Sequence, residues 1–286
     1  MKGLKILKTA LLSNGKMINA WEYDVDVHGP DLKCIDSQCN VTVHYVAKSD
    51  AVAAHFKTSG KTESKHKQSC GFAKPLDPIS SLKKVKQYQQ VISEEEHKDF
   101  TIRLNMSRID PDYESNTAER EKKENKNKNE VKVKNDNKTP QSISSVKSVI
   151  KLLTDYEPDI LSQIKINVGK NIKLPLSDVI IDQIQAQENA WIDEPPLHSF
   201  FVYGRVERFV RLQKVMYISF ETINDVSFTI VLFEKHWKYF ELTEKDLIGK
   251  KVLVYGILRK NDYNDKKQTQ IVIKSDDYIG FIKDEE

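Results

Sequence analysis

Cysteine is scarce in this chain, and all of it lies at one end. Among 286 residues there are three, every one before residue 71. An odd count does not pair off into disulfides, so a reduced compartment with thiolate chemistry is expected. Long apolar runs are absent as well. No stretch approaches the roughly 18 residues that a membrane span needs. The first residues alternate lysine with leucine and isoleucine, and no small-residue cleavage site follows, which argues against a signal peptide. A cytoplasmic protein with no membrane contact is the expectation. Net charge is small, +3, so the balance of charge alone does not select a nucleic-acid partner. There is no Gly-rich phosphate loop, no Gly-x-Ser-x-Gly elbow and no His-Glu-x-x-His. Carboxylates cluster in polar runs such as Glu94-Glu95-Glu96, where a solvated helix end accounts for them. Nothing in the motifs argues for an enzyme. No internal repeat is evident.

With 30% charged and 39% hydrophobic residues, the chain is polar for one compact globule, and its length suggests two domains. The middle explains the excess. From residue 110 to about 142 the sequence is rich in Lys, Asn and Glu, and 119–130 contain no apolar residue. Such a segment cannot bury enough surface to offset its ordering entropy, so a disordered linker is expected.

Before the linker, two apolar runs flank Asn14-Gly15, the strongest short hairpin signal because both residues tolerate positive φ. A strand is expected over 41–46. Cys34 and Cys39 are spaced to form a knuckle. His66 and Cys70 stand at i and i+4, so one helical turn would bring them to one side. Together Cys34, Cys39, His66 and Cys70 make a four-ligand set for one structural zinc ion. His55 is an alternative ligand, and His44 reads as an ordinary surface histidine. The stretch containing Asn14-Gly15-Lys16, Ile18-Asn19-Ala20, Cys34, Cys39, Ala54-His55-Phe56 and His66 resembles the N-terminal region of the CoiA-like competence proteins. That resemblance implies a metal knuckle. The nuclease-type acidic strand cluster that follows it in the family is missing here, so activity is not implied. The unit is taken as 1–75.

An amphipathic helix over 80–92, capped by Ser80 or Ser81, and a strand over 100–106 form an extension, 76–109. After the linker, residues 143–198 read as a second helical extension. It has a helix over 144–156, an extended stretch over 164–174 turning at Gly169-Lys170-Asn171, and a helix from 175 to about 191.

The last segment, 199–286, carries the clearest pattern. Strands are expected over 200–212, 214–221, 226–233, 251–258 and 269–274, with a short helical stretch over 234–249. Gly204 and Gly256 fall inside strands, where glycine marks a bulge or corner. Three meander strands, a helix and a hairpin resemble the OB-fold, a small Greek-key barrel. The fold class is therefore α+β: a zinc-knuckle β unit, a disordered linker and an OB-like β-barrel with a helical extension. By alternation Met216, Ile218 and Phe220 face inward and Tyr217 outward. The resemblance implies a single-stranded nucleic-acid partner, with Tyr203 and Tyr217 stacking bases and Arg205, Arg208, Arg211 and Lys214 meeting phosphates. The other reading is a protein-binding adaptor or inhibitor, two small domains on a tether gripping a larger protein partner. A phage or bacterial protein that blocks a host nuclease or defence complex would fit that class.

Overall fold

The computed structural model describes residues 6–61, 64–74, 76–92, 100–114, 142–262 and 267–283. Most of the expected linker, 115–141, lies outside the described residues, as does Pro75 and the run at 94–96. At the linker's expected start, Asp110 and Asp112 instead pair with Lys274, at 2.8 and 3.0 Å.

The N-terminal unit begins with β1 (Thr9–Leu12) and β2 (Met17–Asn19), the hairpin expected at Asn14-Gly15. Only Gly15 takes the left-handed region, φ 82°; Asn14 instead accepts from the Lys16 N–H through its side chain. A short helix α1 (Val25–His28) leads to β3 (Leu32–Cys34), which pairs with β1. β4 (His44–Val46) and β5 (His55–Lys57) form a second antiparallel pair. The three cysteines, Phe56, Phe72 and Tyr88 share this unit's core.

Tyr88 belongs to the next element, α2 (Pro78–Ile92). The helix starts earlier than expected because the Asp77 carboxylate, not a serine, accepts the N–H groups of Ile79 and Ser80. Its two ends serve two cores. Leu82 and Val85 enter the main core, and Tyr88 enters that of the N-terminal unit. Beyond α2, β6 (Phe100–Leu104) runs parallel to both β7 (Ser142–Ile143) and β8 (Ile164–Gly169), and β9 (Ile172–Pro175) closes an antiparallel hairpin on β8. The segments on either side of 115–141 thus share one sheet. Between β7 and β8 lie α3 (Val146–Asp155), capped by Ser145, and α4 (Pro158–Leu161).

The N-terminal unit is docked, not merely strung. The buried Asp159 carboxylate of α4 accepts the Lys8 and Thr9 N–H groups at 2.7 and 3.0 Å. The Gln163 side-chain amide donates to Thr9 Oγ1 and Asn19 Oδ1, both at 3.1 Å. The tethered-bead picture behind the adaptor reading therefore loses its premise. Leu82, Val85, Ile102, Met106 and Ile109 all lie in the main core beside residues from beyond 142, each contributing about 1.5–3 kcal/mol of burial. Residues 1–114 and 142–286, expressed together as two chains, are expected to co-purify in equimolar amounts. Recovery of 142–286 alone would contradict the shared sheet.

The expected helix from 175 to 191 is broken in two. α5 (Leu176–Val179) and α6 (Gln183–Ala190) flank β10 (Ile180–Asp182), which pairs in parallel with residues 201–203 of the next strand. Ile180 and Ile181 favour the strand, and Asp182 then opens α6 through a capping box with Gln185.

The strands that follow are β11 (Phe200–Arg211), β12 (Val215–Phe220), β13 (Phe228–Phe233), β14 (Lys251–Gly256), β15 (Leu258–Asn261), β16 (Gln268–Ile273) and β17 (Ile279–Ile282). A 3-10 helix (Glu234–Tyr239) and α7 (Glu244–Leu247) sit between β13 and β14. The hydrogen-bonded path is β15-β16-β13-β12-β11-β14-β17. It does not return on itself, so the sheet is open as a ladder. Its two arms are nevertheless consecutive in the chain, since Ile257 alone separates β14 from β15. β17 was not expected. It extends the sheet beyond β14, and α3 presses against Gly280, where a Cβ would meet Ile150 at 2.6 Å and Val146 at 2.8 Å.

Candidate metal centre and barrel face

Four side chains converge in the N-terminal unit. Cys34 stands at the end of β3. Cys39 is turned back toward it because its N–H and that of Asn40 both bond the Asp36 carbonyl, with Asn40 at φ 50°. His66 and Cys70 arrive on a turn closed by Cys70 N–H to Lys67 O, not on the expected helical turn. Their ligand atoms all lie within 4.8 Å of one another. Cys34 Sγ is 3.8 Å from Cys70 Sγ, and His66 Nδ1 is 3.4 Å from both Cys39 Sγ and Cys70 Sγ. A tetrahedral ion at about 2.3 Å from sulfur and about 2.05 Å from nitrogen sets its ligand atoms roughly 3.5–3.8 Å apart. The donor set and spacing can therefore hold one metal ion. His55 lies outside the group, donating through Nδ1 to the Ala53 carbonyl at 3.0 Å.

The sulfurs are unequal. Contacts with Cys39 and Cys70, and then burial, push the Cys34 thiol up. The Cys34 contact instead pulls Cys39 down to about 4 and Cys70 to about 7. Burial works against a charged His66, but the facing Cys70 and Cys39 sulfurs outweigh it and raise the imidazole. Two sulfurs held near the thiolate form are what a soft dication needs.

A carboxylate supports the cluster from behind. Asp36 is fully buried between Cys34 and Cys39. Its Oδ2 accepts from Gly71 N–H at 3.0 Å, Lys84 Nζ at 2.8 Å and Tyr88 Oη at 2.9 Å. Burial works against the charge, but Lys84, Gly71 and Tyr88 together hold Asp36 below the ordinary carboxylate range. The same burial, with Asp36 beside it, pushes the Tyr88 phenol up. Gly71 has to be glycine here, because a Cβ would stand 2.6 Å from Tyr88 Oη. None of these supports was foreseen. The available signal was an acid between the two cysteines of the knuckle, together with Lys84 and Tyr88 at i and i+4 on one helix face.

The second candidate site is the outer face of β11–β13. As expected, Met216, Ile218 and Phe220 are buried, and Tyr217 is half-buried on the opposite side. A bulge between Val206 and Arg208 resets the alternation of β11. Beyond it Val210 pairs with Tyr217, Tyr217 with Val231, and Val231 with Val272. The adjoining row runs Arg208, Ser219, Thr229, Gln270 and Arg259 across five strands. Arg208, Lys214 and Arg259 are exposed; Arg211, also exposed, pairs with inward-facing Met216 and so leaves β11 on the other side from Tyr217, its guanidinium 4.1 Å above the Trp237 ring. Arg205 bonds the Gly249 carbonyl. Tyr203 is not brought to Tyr217. It sits seven residues before Val210, about 23 Å along the strand, pairs with Asp182 of β10, and burial pushes its phenol up. Arg259 and Gln270 were missed, because only strand register brings them to this face.

No family model matches the chain, and no curated protein does, so the CoiA-like resemblance finds no support. Among solved structures the chain is similar to one of the S. pombe Stn1–Ten1 complex, at 11% identity and a TM-score of 0.23, over 31% of this chain and 61% of that one. The fold and the sites therefore stand on their own strands and side chains. Among the described residues no helix is long and apolar enough to cross a membrane.

Proposed function

We propose that this is a non-enzymatic protein that binds single-stranded nucleic acid on the outer face of an OB-like barrel, with zinc holding its N-terminal unit together. The barrel reading treats β14 and β15 as one strand bent at Ile257. Its first half pairs with β11 and its second with β16, so the bent strand links the two sides of the meander. That strand order is the five-stranded arrangement of an OB-fold.

The observation that carries the functional reading is the register of the face. One aromatic, Tyr217, stands among Val210, Val231 and Val272, and the neighbouring polar row begins and ends in arginine. Four strand-to-strand steps, about 19 Å along the curved sheet, lie between those arginines. A base has a flat apolar surface to stack on, and the backbone has cations on either side. Neither row contains an acidic side chain. Zinc is chosen over other ions because three sulfurs and one imidazole in a closed tetrahedral spacing suit a structural zinc site.

In a titration of a labelled single-stranded oligonucleotide, Tyr217→Ala is expected to weaken binding by about 1–3 kcal/mol at all salt concentrations. Alanine at Arg208 or Arg259 should flatten the salt dependence, each by a slope of roughly 0.7. Tyr203→Phe should change neither. If the full-length protein shows no binding at low salt, where the electrostatic contribution is largest, the reading is wrong.

A further inference from the structure

The N-terminal unit has a face of its own that the metal cluster and the barrel do not use. Residues 41–43 pair with β3 on one side, through Cys34 N–H to Val41 O and Val43 N–H to Leu32 O. The strand's continuation, β4, pairs with β5 on the other. Lys33 is thereby set beside Thr42, and His44 beside Lys57. Thr42 and His44 are exposed with Val43 buried between them. Lys33 is exposed between buried Leu32 and Cys34, and Lys57 follows buried Phe56. All four side chains therefore leave the sheet on the same side. The loop carrying Lys61 is fastened there too: Ser64 N–H bonds the Lys61 carbonyl, and Ser64 Oγ bonds the Thr42 carbonyl at 2.8 Å.

Among the described residues the Lys33, Lys57 and Lys61 ammonium groups have no ion pair or hydrogen bond. Lys67 differs, being spent on the Gln38 carbonyl. In sequence, residues 57–67 hold four lysines against one acid, and Asp31 is the acid beside Lys33. Among the described residues no Phe, Tyr or Trp belongs to this face, because Tyr23, Tyr45 and Phe56 pack together on the other side of the strands; its one ring is the small His44 imidazole. Adjacent strands lie about 4.8 Å apart and alternate residues about 6.7 Å apart. The cations thus form an array that can meet backbone phosphates, with no broad aromatic surface on which a base could stack.

We infer that the Lys33–Thr42–His44–Lys57 face, with Lys61, is a second nucleic-acid surface that takes the phosphate backbone of a duplex without reading its sequence. Single strands gain from stacking platforms, which this face lacks and the barrel face has. A duplex offers phosphates at fixed spacing and needs no such platform. The inference rests on its own residues and stands whether or not Tyr217 meets a base.

The test compares wild type, the triple variant Lys33→Gln/Lys57→Gln/Lys61→Gln and Tyr217→Ala, each with a blunt duplex and with a single-stranded oligonucleotide, over a range of salt. Exposed lysines carry no packing, so the triple variant should melt as wild type does. It is expected to lose tenfold or more in duplex affinity at low salt, and its duplex salt slope should fall by roughly 2–3, about 0.9 per lost phosphate contact. Its single-strand binding should be unchanged. Tyr217→Ala should show the reverse pattern. Wild-type protein that ignores the duplex at low salt overturns the inference, as does a triple variant with an unaltered duplex slope. Wild-type protein that binds the duplex but no single strand would instead count against the Tyr217 face and leave this inference standing.

Discussion

Cys34→Ser is expected to abolish metal binding and unfold the N-terminal unit while the C-terminal sheet stays folded. Five strands of three or four residues enclose the unit's core, and strands so short hold few hydrogen bonds. Four ligands from 34 to 70 close this region around one point. In such units the free energy of binding metal is largely the free energy of folding, about 10–16 kcal/mol in zinc-finger peptides. Removing one thiolate leaves Cys39, His66 and Cys70 unable to complete a closed site. The loss should then pass to Asp36, whose loop is held in shape by the same ligands, and so to the contacts with Lys84 and Tyr88. The main core, with Phe200, Phe220, Ile230 and Val254, is a separate cluster and does not depend on the ion. Wild-type protein prepared without chelator should carry about one zinc per chain. Hydrogen exchange of Cys34→Ser should lose protection over β1–β5 and keep it over β11–β16. Metal content and protection both unchanged in the variant would refute the assignment.

Gly204→Ala is expected to be the most damaging single methyl in the barrel. Glycine inside a strand normally costs about 0.5–1 kcal/mol relative to alanine, so the ordinary expectation is a gain in stability. Here a Cβ would lie 2.1 Å from Phe220 Cδ2. That ring is 1% exposed and stacks on Phe228 with centroids 5.0 Å apart, so it has nowhere to go. Overpacking of this kind costs about 3 kcal/mol, which lowers the melting temperature of a core this size by roughly 5–10 °C. Phe220→Leu, which removes the ring, should recover part of the loss when combined with Gly204→Ala. The recovery is read as the coupling energy of a double-mutant cycle. A Gly204→Ala protein as stable as wild type would mean that the two strands do not approach as described.

The sequence alone determined whatever depends on neighbours in the chain. Asn14-Gly15 set the first hairpin, because Gly15 takes a positive φ at no cost. Period-two alternation in 215–220 already separated Met216, Ile218 and Phe220 from Tyr217, since side chains of a strand can leave it only on alternate sides. The four residues able to hold a metal were legible because every cysteine of the chain is among them, though His55 could be set aside only once its ring was seen bonded to the Ala53 carbonyl and His66 among the sulfurs. Tertiary structure decided the rest. Ile180 and Ile181 could have continued a helix, and they form β10 because β11 offers them a partner. Tyr203 alternates as Tyr217 does, yet the bulge after Val206 and the cover of β10 separate the two. The row from Arg208 to Arg259 draws on five strands spread over some sixty residues, 208 to 270, and the parallel pairing of β6 with β8 crosses the whole of 115–141. Register between distant strands is fixed by which apolar side chains bury together, and that choice is not written in any one local stretch.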